Sequence, residues 1–85
     1  MKDINYITDN VQTKEDFVEF ITLLVKNFET DPASWENVTI KDYLEAIASW
    51  TEDMDGYYIN QKLPVPEKIE WKVFANILMA AKIYE

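Results

Sequence analysis

Between Thr13 and Thr30 the apolar side chains Phe17, Phe20, Ile21, Leu24, Val25 and Phe28 recur at intervals of three and four residues. That spacing places them on one broad face of an α-helix and leaves Glu15, Glu19, Thr22 and Lys26 on the other. Thr13 is the expected N-cap, with Glu15 and Asp16 at the positive end of the helix dipole. The Asp31-Pro32 pair ends the helix near Thr30, because the residue before a proline is driven out of the α region. Asp31 with Pro32 would start a short turn that drops Trp35 onto the core. A broad greasy face of this kind constrains the whole chain, since a domain of 85 residues buries only roughly 60–65% of its unfolded surface. The means to cover it are present: 48% of the residues are hydrophobic and 14% aromatic, a globular composition.

A second helix is expected over about 39–60. Thr39 and Asp42 form a capping-box variant, Val38 and Tyr43 have the spacing of a hydrophobic staple, and Ile40, Tyr43, Leu44, Ile47, Trp50 and Met54 mark one side. Tyr57 and Tyr58 continue the side of Met54, so the helix is read through Gly56. Ending it there would crowd Glu52, Asp53 and Asp55 at the negative pole of the dipole. Pro64 and Pro66 stiffen a loop over 61–69. A third helix over about 70–84 is apolar around half its circumference and belongs at the centre of the bundle. Residues 1–12 carry no clear period and are expected to form an extended or flexible arm. The expected fold is therefore all-α: an arm at 1–12 and a single domain at 13–85, built as a small three-helix bundle with helices at about 13–30, 39–60 and 70–84.

Charge is unevenly spread. The net charge is −8, and residues 29–55 hold one lysine against eight acids. Such a field repels phosphate backbones and attracts cations or basic proteins, so nucleic acid is not an expected partner. The chain has no His, Cys or Arg and one Gly. It therefore lacks the usual zinc ligands, a thiolate nucleophile, a Ser-His relay and a glycine-rich phosphate cradle. No enzyme and no cofactor are expected. The opening MKDINYITDN is not a signal peptide, and no run approaches the ~20 apolar residues of a membrane span, so a cytoplasmic protein without a membrane partner is expected.

The cluster Glu52-Asp53-Met54-Asp55-Gly56 superficially resembles a calcium loop. With Asp53, Asp55 and Gly56 at the third, fifth and sixth positions, however, Thr51 falls first and Lys62 twelfth, where a bidentate Glu belongs. Glu52, Asp53 and Asp55 remain only weak metal candidates. On a continuous helix Glu45, Ser49, Glu52, Gly56 and Asn60 instead align opposite the apolar side, with Asp42 and Asp53 flanking. This acidic stripe, with a glycine that breaks helical preference on a polar face, is the expected partner-binding surface. Trp35, Trp50, Trp71, Tyr43, Tyr57 and Tyr58 are read as core rather than as a ligand pocket. Met79 and Ile83 lie away from the third helix's main apolar side, and either pack beneath the arm or form a homodimer contact.

The string from Trp50 to Tyr58, then Pro64-Val-Pro66, Trp71 with Phe74-Ala75, and the closing AAKIYE, together with the opening Thr13–Phe20, resembles a widespread family of small bacterial proteins of unknown function. The resemblance covers residues 13–85 and implies a stand-alone cytoplasmic helical domain with no activity or catalytic residue to carry over. The residues themselves point to a protein-interaction module that offers an acidic helix face to a basic or amide-rich protein, in the manner of an immunity protein or antitoxin. A carboxylate-based cation or small-ligand site and a self-associating domain are the alternatives.

Overall fold

A computed structural model describes residues 3–68 and 70–84; Met1, Lys2, Ile69 and Glu85, which the expected arm, loop and closing motif include, lie outside the described residues. Among the described residues four α-helices follow in order: α1 (Ile4–Asp9), α2 (Lys14–Thr30), α3 (Ile40–Asn60) and α4 (Trp71–Ala80), with a 3₁₀ turn at Pro32–Ser34. The described residues contain no strand. The fold is all-helical, as the periodicity requires.

The long helices begin on hydroxyl caps. Thr13 Oγ1 accepts from Asp16 N at 3.1 Å, while the Asp16 carboxylate accepts from the backbone of Thr13 and of Gln12, a complete capping box. Thr39 Oγ1 likewise accepts from Asp42 N at 3.1 Å. α3 runs unbroken through Gly56 and stops in a left-handed turn: Lys62 has φ 58°, Lys62 N donates to Ile59 O, and Leu63 N donates to Tyr58 O. This is a Schellman ending with lysine where glycine is usual. The 3₁₀ turn forms with Pro32 at its start, although the Asp31 side chain does not cap it.

The expected arm is the first correction. Residues 4–9 form α1, capped by Asp3, whose carboxylate accepts from Asn5 N. Ile7 and Val11 belong to the same buried cluster as Phe20, Leu24 and Ala75. The first segment is therefore part of the core, and the arrangement has four helices rather than three with an arm.

α4 is central: it packs on α1, α2 and α3, whereas the backbones of α2 and α3 do not meet. α4 is also shorter than expected, ending at Ala80. The residues after it turn because their carbonyls are claimed by other parts of the chain. Asn37 Nδ2 donates to Ala81 O and Tyr84 O, and the backbone N–H groups of Glu36 and Asn37 both donate to Lys82 O. Tyr43 donates its hydroxyl to Leu78 O in the last turn of α4.

The loop between α2 and α3 thus closes the C-terminal end of α4. Trp35, in that loop, donates Nε1–H to Asn27 Oδ1 at 2.7 Å and packs edge-on to Phe28. The Lys82 ammonium lies 5.3 Å from the Trp35 ring centre. Lys82 is only 8% exposed, and burial lowers its pKa despite the nearby Asp31.

Candidate functional site

α3 carries three different faces, because each residue advances about 100° around the axis. Ala46, Trp50 and Tyr58 are buried, with Tyr43 and Ile47 partly so; this is the face turned to α4. Tyr43 and Tyr58 tie it there, through Tyr43 to Leu78 O and through Asn76 Nδ2, which donates to the Tyr58 hydroxyl at 3.0 Å.

The second face is the acidic stripe. Asp42, Glu45, Glu52, Asp53, Gly56 and Asn60 are exposed and Ser49 is half-buried. The chain itself engages part of it. Tyr84 donates to Asp53, a bond that raises the tyrosine's pKa. Lys41 pairs with Glu45 at 2.8 Å, which raises the lysine's pKa. Ser49 borders a shallow hollow with Asn37, Ala46 and Tyr84. Glu52, Gly56 and Asn60 form the open remainder. A Cβ built on Gly56 meets nothing within 4 Å, and its φ is not positive, so neither packing nor backbone geometry in the monomer demands glycine there. Among the described residues no three acids converge on a point that could hold a metal ion. Glu52, Asp53 and Asp55 are near neighbours on one helix and diverge around it.

The third face was not anticipated. Ile40 and Leu44, expected on the apolar side of the helix with Tyr43 and Ile47, are 80% and 58% exposed. They sit about 60–100° around α3 from Tyr43, beyond the reach of α4. Val25 on α2 is 54% exposed, and Val38, in the loop that leads into α3, is 52% exposed. Val25, Val38 and Ile40 line a groove of about 320 Å³ between α2 and α3, walled by Ile21, Val25 and Phe28 on one side and Val38 and Ile40 on the other, with Trp35, Tyr43 and Leu78 also bordering it. It exists because α2 and α3 both lean on α4 without meeting each other. Its sequence signal was the width of the two apolar arcs: Phe17 to Phe28 spans more of α2 than one neighbouring helix can cover, and Ile40 and Leu44 fall beside the Tyr43–Trp50 line rather than on it.

Met79 packs against the buried cluster to which Ile7 of α1 and Val11 just after it belong, and Ile83 stays 57% exposed beside a hollow shared with Asn5, Thr8 and Asp9. Trp50 is buried as expected, whereas Trp71 and Phe74 remain partly exposed, stacked against Phe17.

Fold and surface together define a small all-helical domain organised around one central helix. Among the described residues no helix is long and apolar enough to cross a membrane. The chain belongs to a family of unknown function, DUF7660, which it matches over residues 13–85. The matched span opens at the N-cap of α2 and leaves α1 outside. No curated protein and no solved structure matches the chain.

Proposed function

We propose that this domain is a protein-interaction module and that it docks its partner in the groove between α2 and α3. The observation that carries this reading is the exposure of Val25, Val38 and Ile40 around one concavity. Single exposed apolar residues are ordinary, but a contiguous set around a groove marks an interaction surface. In the acid-rich span 29–55 the partner meets a negative surround, which suits a basic protein; neutralisation of a basic toxin, immunity- or antitoxin-like, is one form such a module takes.

A second surface for the same role is the open part of the acidic stripe, favoured by the uninterrupted course of α3 through Gly56. Two double variants separate them. Val25→Lys with Ile40→Lys alters the groove, and Glu45→Lys with Glu52→Lys alters the stripe; all four positions are exposed, so the fold is retained. Affinity capture from source-cell lysate is expected to lose its bound protein with the first pair and keep it with the second. The opposite result transfers the role to the stripe, and capture unaffected by either pair refutes both.

A further inference from the structure

We infer that the occupant of the α2–α3 groove is a cationic amphipathic α-helix from another protein; this rests on the groove being the docking surface. The argument has three parts: what the groove can hydrogen-bond, how long it is, and what charge surrounds it.

The polar groups at its border already have partners. The Asn37 amide donates to Ala81 O and Tyr84 O, the Tyr43 hydroxyl donates to Leu78 O, and Thr39 Oγ1 caps Asp42 N. The walls are hydrocarbon. An extended peptide lying there would leave its own N–H and C=O groups without partners, and the described residues contain no strand edge to pair with it. A helix satisfies its backbone internally and presents only side chains.

The α2 wall runs from Ile21 to Phe28, two helical turns or roughly 10.5 Å. Three anchors at i, i+4 and i+7 on a partner helix cover the same distance, the usual reading of a helix laid in a groove.

The surround is acidic. Glu29 follows Phe28, and Asp31 and Glu36 flank the Trp35 loop; all three are exposed. The one lysine of residues 29–55, Lys41, is paired with Glu45. A second copy of the chain docked about a two-fold axis would bring these carboxylates against their own equivalents. A helix with Lys or Arg beside its apolar stripe complements them instead, gaining on-rate and orientation from the charge and residence from the apolar anchors.

The test uses synthetic peptides of about 14 residues, roughly four turns. One carries Leu at i, i+4, i+7 and i+11 with Lys on the polar face; a second replaces Lys by Glu; a third keeps the Lys residues but places Pro at the centre. Titration of the full chain is read by calorimetry and Trp fluorescence, beside the charge-neutral groove variant Val25→Asn with Ile40→Asn, whose folding is checked by circular dichroism. The inference expects the Leu/Lys helix to bind, to weaken by about tenfold or more in the groove variant, and to weaken further with salt, the Glu and Pro peptides binding at least about tenfold less. Equal binding of the Pro peptide overturns the helical occupant. Equal binding of the Glu peptide, still sensitive to the groove variant, overturns the charge assignment and leaves the groove reading standing. Leu/Lys binding indifferent to the groove variant overturns the groove itself as the site. Binding by none of the three overturns the proposed partner class, and the lysate capture then decides the groove separately.

Discussion

The phenol of Tyr43 donates a 2.7 Å hydrogen bond to the carbonyl of Leu78, so a side chain near the start of α3 caps the last turn of α4. Burial pushes the Tyr43 pKa up to about 12. An unfolded chain releases the same proton near pH 10. The neutral phenol is thus favoured by folding, and its contribution is fully present below about pH 10 and lost as pH rises towards 12. Tyr43 is partly open to water, so roughly 1 kcal/mol is expected rather than the ~3 kcal/mol of a sealed group. Urea unfolding of the wild type at pH 8 and pH 11.5, compared with Tyr43→Phe, should show this part of the alkaline loss missing from the variant. Tyr43→Phe should itself be less stable at pH 8 by about 1 kcal/mol.

The packing of α1 on the core gives the second prediction. Ile7 is buried with Val11, Phe20 and Leu24. Ile7→Ala should lower stability by about 2–4 kcal/mol, through lost burial and the cavity left behind. A change below about 0.5 kcal/mol in denaturant unfolding would mean that α1 does not pack on the core in solution.

Gly56→Ala should stabilise the domain by about 0.5–1 kcal/mol. The site is mid-helix, exposed and open to a Cβ, so the substitution only removes glycine's excess freedom in the unfolded chain. The thermal midpoint is the readout. A protein stabilised by Gly56→Ala but impaired in partner capture would show that the glycine serves close approach by another molecule.

At Lys62 the same reasoning runs the other way. Its φ of 58° is a left-handed conformation that a Cβ disfavours, and its N–H already closes the end of α3. Lys62→Gly should raise stability by up to about 1 kcal/mol, since relief of strain in the folded state exceeds the added freedom of the unfolded one. A loss of stability on thermal unfolding would contradict this.

Much of the architecture was readable because local rules and tertiary packing agree. Thr13 and Thr39 start their helices where hydroxyl caps were expected, and α3 crosses Gly56 as its aromatic spacing required. α1 escaped notice although Ile4, Ile7 and Val11 do have helical spacing and Asp3 precedes them. Six residues are too few for a period to stand out, and such a helix is stabilised by what it packs on rather than by its own propensity. Ile40 and Leu44 share the apolar side of α3 in the sequence, but an apolar pattern says which residues avoid water, not whether a neighbour is there to cover them. That depended on α2 and α3 both choosing α4, a long-range outcome. The early end of α4 was equally hidden, because it depends on Asn37 reaching Ala81 and Tyr84 across more than forty residues of chain.

That clasp also bears on how the groove meets a ligand. Residues 36 and 37 are bolted to the turn after α4, and Tyr43 to its final helical turn, so the segment linking the two walls has little freedom to hinge. The cleft is a preorganised mould, and little ordering entropy is forfeited when it fills. Cutting the clasp with Asn37→Ala would loosen the mould while leaving every apolar wall residue in place, turning a lock-and-key encounter into one that must first be rebuilt.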